Sequence, residues 1–348
     1  MHNTNKYQHL LNWYDLNKRI LPWRKTNDPY MIWLSEVMLQ QTQVSVVIPY
    51  YNDWIEKYPT VQSVAEANLD ELLKFWEGLG YYSRCRNFHQ ASKYVVTNFG
   101  GVVPDQYDLF ISLPGVGKYI ASAVMSIAYN HKYPAIDGNL KRVLSRYLRI
   151  RKISKRNLVK IENKLKIMIN ERPGDINQAL MDIGSLICKP TTVFCSLCPL
   201  ETSCKGTSSY DPTQYPERQK RKKIPTKHYV SGYISEGKHI LIQKRPSEGL
   251  LAGLWELPVV ERNKKSDSIS IFEKYTKESL GCKIEKINKI GTIKHTYSHY
   301  KIKITLIECQ PTNINVKNSK WIKIDEINNY TFSKANHKIF NTIGIIND

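Results

Sequence analysis

The period of the apolar pattern changes once along the chain, and this change limits the fold more than any other feature. Up to about residue 205, apolar residues recur at the 3.6-residue spacing of amphipathic helices, as they do from Leu69 to Trp76. Beyond residue 229, apolar and polar residues alternate, as they do from Lys301 to Ile307, which is typical of strands. The sequence therefore predicts a helical domain over residues 1–206 and a smaller α+β domain over residues 229–348.

The stretch between these two patterns has the composition of a linker. Residues 207–228 contain three prolines and a run of basic residues that includes Lys220, Arg221 and Lys222. A chain of 348 residues is long enough for two hydrophobic cores. In the second domain, residues 229–234 and 239–242 flank a turn, and residues 269–280 have the pattern of one helix.

The charge of the chain favours a polyanionic partner. Lys and Arg number 51 against 31 Asp and Glu, which gives a net charge of +20. The stretch from Lys141 to Lys160 holds nine basic residues and no acidic one. The alternative is a solvated helix face that binds nothing. No apolar run has the length of a membrane span, the first residues do not form a secretory signal, and nothing indicates oligomerisation. We therefore expect a cytoplasmic monomer without membrane contact.

Four of the seven cysteines form a candidate metal site. Their spacing is Cys188-x6-Cys195-x2-Cys198-x5-Cys204, and an odd total without a signal peptide argues against a disulfide framework. One x2 pair with two outlying cysteines favours an iron–sulfur cluster over structural zinc, which usually takes two close pairs. We expect a structural role, in which the loop can present Lys189 or Lys205 to phosphate.

A glycine hairpin precedes a predicted apolar helix. In Leu113-Pro114-Gly115-Val116-Gly117-Lys118, the two glycines permit a tight turn, and the N–H groups of the following helix can bind a phosphate oxygen. The alternative is a corner between helices that serves packing alone.

Two carboxylates have the surroundings of an acid and an anion. Glu36 has Ile32, Trp33 and Leu39 on its own helical face, so poor solvation is expected to raise its pKa. Asp137 precedes a predicted helix, where an N-cap position stabilises the ionised form. One protonated and one ionised carboxylate can break a glycosidic bond. The alternatives are a glutamate that reaches solvent and an aspartate that only caps.

The motifs taken together resemble one family. The chain resembles MutY-type adenine DNA glycosylases, which belong to the helix-hairpin-helix superfamily that includes endonuclease III. The resemblance lies in the four-cysteine motif and in five shorter motifs: Leu21-Pro22-Trp23-Arg24, Trp33 to Thr42, Gly78 to Tyr82, Leu113 to Gly117 and Asp137-Gly138-Asn139. The resemblance implies an all-α helix-hairpin-helix glycosylase core with an iron–sulfur loop, followed by a smaller α+β Nudix-like domain.

The resemblance also implies an activity and a set of roles. The substrate would be double-stranded DNA with adenine opposite 8-oxoguanine or guanine, and a [4Fe–4S] cluster would lie on Cys188, Cys195, Cys198 and Cys204. Glu36 would protonate adenine and Asp137 would stabilise the sugar cation, supported by Tyr119 and Asn139. The adenine pocket would comprise Trp23, Arg24 and Gln178. Four residues would fill the gap that the extruded adenine leaves in the duplex and hold the strand with 8-oxoguanine: Gln41, Thr42, Leu79 and Tyr81. The hairpin glycines Gly115 and Gly117 would also bind DNA.

One position predicts which bonds are broken. Bifunctional members of the superfamily carry a Schiff-base lysine two residues after the second hairpin glycine, where this chain has Tyr119. A phenol forms no imine, so we predict a monofunctional glycosylase that leaves an abasic site. Lys118 and Lys141 are close enough in sequence for incidental imines.

The C-terminal domain resembles the MutT-like domain of the same family through residues 249–258 and 295–299. At the position of the metal-binding Nudix motif, residues 274–281 keep a single acid, so nucleotide hydrolysis is not expected. The domain is instead predicted to recognise the damaged base through Tyr297, Ser298 and His299. A strand-turn packing element is the alternative for these three residues.

Two other functions stay open on sequence alone. The first is a thymine or uracil mismatch glycosylase on the same scaffold, whose members often lack the second domain. The second is a non-enzymatic iron–sulfur DNA-binding protein, against which the apolar surroundings of Glu36 argue.

Overall fold

The structure is a computed structural model that describes residues 7–218 and 223–345. Lys220, Arg221 and Lys222 of the predicted linker lie outside the described residues. Contacts group the chain into two units: residues 1–66 with 87–220, and residues 67–86 with 221–348. None of the described helices is both long and apolar enough to cross a membrane.

The first unit is helical, as predicted. Its helices are α1 (Gln8–Asn17), α2 (Pro29–Leu39), α3 (Val44–Lys57), α4 (Val61–Glu66), the greater part of α6 (Ser83–Phe99), α7 (Tyr107–Ile111), α8 (Lys118–Ile127), α9 (Gly138–Tyr147), α10 (Lys155–Met168) and α11 (Pro173–Asp182).

Helix α2 lies at the centre of this unit. Asp28 caps it by accepting a hydrogen bond from the backbone N–H of Tyr30, and Pro29 takes the first position, where its missing N–H costs nothing. Nearly every residue from Tyr30 to Met38 is buried, and α2 packs against α3 and α8. A helix that is apolar on all sides is stable only inside a core, so its single carboxylate, Glu36, is carried into the interior.

Helix α11 approaches its neighbours closely. A Cβ atom at Gly174 would lie 2.7 Å from the Ser126 carbonyl oxygen of α8, so only glycine permits this crossing. The helix continues into one turn of π-helix at Ile183–Ile187, a distortion that is frequent at functional sites. The chain then enters the four-cysteine loop at Cys188.

The second unit is built on a seven-stranded mixed sheet. The strands are β1 (Thr226–Glu236), β2 (His239–Lys244), β3 (Trp255–Glu256), β4 (Val259–Arg262), β5 (Ile284–Thr296), β6 (Lys301–Pro311) and β7 (Ser319–Lys323). The order is β3-β2-β1-β6-β5, with β4 beside β1 and β7 beside β2. Strands β1 and β6 are parallel, and all other pairs are antiparallel.

Two helices cover opposite faces of this sheet. Along β2, Ile240 and Ile242 pack into a cluster with α13 (Lys334–Thr342), while Leu241 packs into another with α12 (Ser268–Ser279). This is the alternation of a strand buried on both faces. The predicted turn at 235–238 and the helix predicted at 269–280 are both confirmed.

The segment 67–86 groups with the second unit, although it lies within the residues 1–206 predicted as the helical domain. It contains α5 (Leu69–Phe75) and was assigned to the helical domain because its pattern is helical. Asp70 forms an ion pair with Lys244, and Glu77 accepts hydrogen bonds from the Phe332 N–H and the His337 ring. Local periodicity reports a helix but not the partner against which it packs.

Candidate active site

Glu36 is a buried carboxyl group whose proton is stabilised by its surroundings. Its exposed fraction is 4%, and the Tyr119 hydroxyl donates a hydrogen bond to its Oε2 atom at 2.6 Å. Burial raises the pKa of Glu36 to about 7; the bond from Tyr119 opposes this shift, and the charge of Asp137 adds to it. Burial and the same two carboxylates also raise the pKa of Tyr119, which stays a phenol. The predicted burial is confirmed, and the raised pKa leaves a large fraction of Glu36 protonated near neutral pH, where an ordinary carboxyl group is ionised.

Asp137 is a hydrogen-bonded carboxylate at the start of α9. Its Oδ1 accepts from the Leu140 N–H at 2.7 Å, and its Oδ2 accepts from the Asn139 amide at 2.9 Å. The amide oxygen of Asn139 accepts in turn from Arg142 at 2.9 Å. Donors on both oxygens and the positive end of a helix stabilise the anion. The N-cap interpretation is therefore correct, and it leaves a charged group within electrostatic reach of Glu36.

Three helices bring these groups together. Helix α2 supplies a carboxyl group that keeps a proton, α9 supplies a carboxylate, and α8 supplies a phenol bonded to the first. Environments that separate the protonation states of two neighbouring acids are those of a general acid with an electrostatic partner.

An ion cluster that sequence reasoning missed fixes Arg24. The fully buried carboxylate of Asp182 accepts from two nitrogens of Arg24, at 2.6 and 3.0 Å, and from Nε of Arg19 at 2.6 Å. A buried carboxylate with two guanidinium partners holds each of them rigidly. The signal in the sequence was an aspartate inside the apolar run Leu180 to Ile187.

Two of the three predicted adenine-pocket residues line one cavity of the helical unit. Arg24 and Gln178 line a cavity of about 290 Å³ in the helical unit, and neither Trp23 nor Glu36 is among its lining residues. Trp23 is buried and meets Tyr51 edge-on at 5.3 Å between ring centroids. Arg24 also lies within electrostatic reach of Glu36, because its charge is one of the influences that lower the pKa of that carboxyl group.

Glycine occupies the two hairpin positions for different physical reasons. Gly115 has φ +77°, and a Cβ there would lie 2.6 Å from Cβ of Asn87, so the fold itself requires glycine. Gly117 precedes the first turn of α8 with φ −98°, and a Cβ there would meet nothing within 4 Å. The fold does not require glycine at 117, which agrees with close approach of a ligand to the N–H groups of α8.

Gln41 and Tyr81 are both predicted DNA contacts in strained backbone. Their φ angles are +59° and +48°, in the left-handed region that non-glycine residues rarely adopt. Gln41 follows directly on α2, and the hydroxyl of its neighbour Thr42 donates to the Gln40 carbonyl at 3.3 Å. Such strain persists only where the surrounding structure imposes it, and it is common at ligand sites.

A cavity of the second unit unites predicted residues that are 217 positions apart. Its volume is about 380 Å³, and its lining includes Leu79, Tyr81, Tyr297, Ser298 and His299. The Tyr81 hydroxyl and the Ser298 hydroxyl are 2.5 Å apart. The cavity is large enough for a nucleobase, and both aromatic and polar side chains line it.

The loop that begins at Gly249 completes this cavity; its residues carry the resemblance to the MutT-like domain, but the sequence predicted no binding role for them. Leu250 and Leu251 line it, and Leu251 has φ +56°. Arg245 donates to the Leu250 carbonyl at 3.1 Å while it is paired with the buried Glu256 at 2.6 Å, and Arg86 donates to the Ala252 carbonyl at 2.7 Å. Two arginines therefore hold the backbone of this loop in place.

The cysteine loop is organised by Arg146. This buried side chain donates to the Cys188 sulfur at 3.2 Å and to the carbonyls of Cys188, Lys189, Pro190 and Tyr215. A Cβ at Gly206 would meet the Arg146 carbonyl oxygen at 2.8 Å and the Cys204 sulfur at 3.4 Å.

The four sulfurs lie near each other but are not gathered for a single ion. Burial raises the pKa of the Cys198 thiol to about 12, and thiolate charges on Cys188, Cys204 and Cys195 raise it further. No three His, Cys, Asp or Glu side chains of the described residues are placed to hold one metal ion.

Comparison with known proteins places the chain. Residues 34–168 match the HhH-GPD superfamily of base excision DNA repair proteins, and residues 230–342 match the NUDIX domain. Adenine DNA glycosylase of Buchnera aphidicola subsp. Baizongia pistaciae is 35% identical over 96% of this chain and 90% of its own length. The rat enzyme of the same name is 33% identical over 96% of this chain and 77% of its own, and the human one 31% over 95% and 72%.

The chain belongs to the adenine DNA glycosylase family. The predicted fold, a helix-hairpin-helix glycosylase core followed by a Nudix-like α+β domain, is confirmed. The likeness to adenine DNA glycosylases extends over both units, since it covers nearly the whole chain.

The likeness to a mismatch glycosylase of another type is shorter. The structure of a thermostable thymine-DNA glycosylase is similar with a TM-score of 0.53 and 27% identity, and it covers 58% of this chain and 94% of the other protein. The thymine-DNA glycosylase therefore has no counterpart to about two fifths of this chain. The adenine DNA glycosylase relatives match nearly all of it.

Proposed function

We propose that this protein removes adenine from duplex DNA in which adenine is opposite 8-oxoguanine or guanine, and leaves an abasic site. The observation that carries the proposal is the buried Glu36, which keeps a proton near neutral pH beside Tyr119 and within reach of the charge of Asp137. Membership of the adenine DNA glycosylase family supports the choice of base.

The reaction divides between the two carboxyl groups. Glu36 donates its proton to the adenine ring as the bond between C1′ and N9 breaks, so the base leaves as a neutral molecule. The electron pair of that bond leaves with the base, and the anionic Asp137 stabilises the positive charge that develops on the sugar. Water then adds to C1′, and its surplus proton returns the acid to its starting state.

The same residues support a reaction that stops at the abasic site. Imine formation needs a primary amine at the sugar, and the group bonded to Glu36 is the phenol of Tyr119. The protein would therefore not cleave the DNA backbone after excision.

The second unit supplies the choice of mispair in this proposal. The cavity around Tyr81 and Ser298 is large enough for a purine, and its polar side chains can distinguish an oxidised base edge from an ordinary one. Duplex contacts at the Gly117 N-terminus of α8 and beside Gln41 would hold the strands. A DNA substrate implies a DNA-associated location, for which we propose the nucleoid in the cytoplasm.

The cysteine loop would hold a [4Fe–4S] cluster through Cys188, Cys195, Cys198 and Cys204. Such a group supplies a rigid covalent crosslink for the loop. Arg146 orients the loop through its carbonyls and offers a positive charge to the Cys188 sulfur. Iron and sulfide analysis together with visible absorption distinguishes this cluster from structural zinc.

The test is single-turnover excision on duplexes that differ only in one base pair. The duplexes carry adenine opposite 8-oxoguanine, guanine, cytosine or thymine, and thymine or uracil opposite guanine. We expect free adenine from the first two and no strand cleavage without added alkali. Release of thymine or uracil alone would establish the other glycosylase activity, and DNA binding without any base release would establish a non-enzymatic protein.

A further inference from the structure

The helical unit has a groove lined by basic residues that the proposed reaction does not use. An open groove of about 740 Å³ lies where α9 ends, along residues 148–154 and beside α10. Six of its lining residues are cationic and none is a carboxylate: Arg149, Arg151, Lys152, Lys160, Lys164 and Lys205.

The nine basic residues from Lys141 to Lys160 fall into groups with different roles. Arg142 and Arg146 turn inward and bind carbonyls of the 184–190 region, where they hold the cysteine loop. Arg149, Arg151, Lys152 and Lys160 are exposed and line the groove. The basic run is therefore partly structural, but four of its charges face one open surface.

The groove is separate from the reacting carboxylates. Asp137 caps the first turn of α9, whereas Leu148 and Arg149 of the groove follow its last turn. A helix of 10 residues is about 15 Å long, so a ligand in the groove is not the nucleotide that reacts at Asp137.

The chemistry of the lining favours phosphate. Guanidinium and ammonium groups, with the side-chain amides of Asn157 and Asn163, offer many donors to an anion. The backbone N–H of Glu217 donates to the Arg151 carbonyl at 2.7 Å, so the chain at Glu217 runs beside the groove, but Glu217 is not one of the lining residues. The backbone of Arg149 is held at φ +55°, with its guanidinium 5.9 Å from the centroid of the Tyr215 ring.

We propose that this groove binds the phosphodiester backbone of nucleic acid away from the reacting nucleotide. It would raise the affinity for DNA of any sequence and would not change the rate of base excision in the bound complex. The phosphates could come from the flank of the same duplex or from a second duplex. An acidic protein segment is the competing ligand that the experiment must reject.

The experiment uses full-length protein in which Arg151, Lys152 and Lys160 are all changed to Gln. The control carries Lys264→Gln, Lys265→Gln and Lys277→Gln, which removes three exposed charges from the second unit. Affinity for an undamaged 40-base-pair duplex is measured between 50 and 200 mM salt. Each lost phosphate contact reduces the slope of log affinity against log salt by about 0.9, so three contacts make the salt-induced loss about 40-fold smaller than in the unchanged protein.

Three further measurements decide between the outcomes. With a 12-base-pair duplex, the groove variant should show a reduced slope only if the groove binds a second duplex. In that case, unlabelled competitor DNA should displace the second duplex. The excision rate at saturating protein should be the same in the groove variant and the unchanged protein. A slope equal to that of the control variant would overturn the proposal, as would binding of polyglutamate to the groove with no change in DNA affinity. Binding to undamaged DNA needs no base excision, so failure of the proposed function would appear separately.

Discussion

Replacing Glu36 by Gln should remove base excision and, at the same time, stabilise the protein at high pH. Gln has nearly the shape of a protonated Glu and keeps an oxygen that can accept from Tyr119, but it has no proton to donate to a leaving base. General acid catalysis contributes a factor of about 100 to 10,000, and the loss of excision rate should be at least that large. Binding to a mispair should persist, because the surface of the site is almost unchanged.

The size of the stability effect follows from the pKa of the buried group. The pKa of Glu36 rises from 4.5 to about 7 on folding, chiefly through burial. A raised pKa means that ionisation of Glu36 is less favourable in the folded state than in the unfolded state. The free energy of unfolding is therefore undiminished below pH 4.5, where both states are protonated, and it falls as the pH rises towards 7. At about 1.4 kcal/mol per unit, the shift corresponds to about 3 kcal/mol lost by pH 8. Gln does not titrate, so the variant loses none of this free energy of unfolding as the pH rises.

Urea unfolding of both proteins at several pH values measures this difference. Other groups titrate equally in the two proteins, so subtraction of their free energies of unfolding isolates Glu36. We expect the advantage of the Gln variant to grow from near zero at pH 4 to about 3 kcal/mol at pH 8. A difference that is independent of pH would show that Glu36 is ionised or solvated in the folded protein, and the general-acid assignment would then fail.

Three further predictions concern other parts of the chain. Tyr119→Phe removes the hydrogen bond that lowers the pKa of Glu36, so the fall in excision rate with rising pH should move to higher pH; an unchanged midpoint in the pH–rate profile would contradict this. Gly117→Ala should raise the free energy of unfolding by up to about 1 kcal/mol and weaken DNA binding, whereas Gly115→Ala should lower the free energy of unfolding by more than about 1 kcal/mol; equal effects on both measurements would refute the distinction. Arg245→Met should reduce the preference for 8-oxoguanine over guanine opposite adenine with excision opposite guanine retained, as measured by single-turnover rates on both duplexes; an unchanged preference would separate the Arg245 loop from recognition.

Local sequence patterns were sufficient for the burial of Glu36 and for the change from helices to strands. Both depend on residues within one or two turns or strand lengths, and periodicity reports which face of an element is buried. The pattern around Glu36 places apolar side chains on its own helical face, and the structure buries it.

Long-range partners were not available from such patterns. Asp182 pairs with Arg19 and Arg24, which are about 160 positions away, and nothing in the local spacing of any of them indicates the others. The attachment of residues 67–86 to the second unit depends on Asp70 and Glu77, whose partners also lie far along the chain. Ion pairs of this kind depend on how elements pack, which a single sequence does not show.

The two interpretations of Asp137, as a helix cap and as the anion of the site, turn out to describe one arrangement. The cap bond to Leu140 uses one carboxylate oxygen, and the Asn139 amide binds the other. These bonds fix the orientation of the group and stabilise its charge, which is what an anion beside a sugar cation requires. The same holds for Glu36, because the packing of α2 that excludes water is also what keeps its proton in place. At both positions the structural contact is the physical means by which the chemical state is held, so removing the contact must change the chemistry as well.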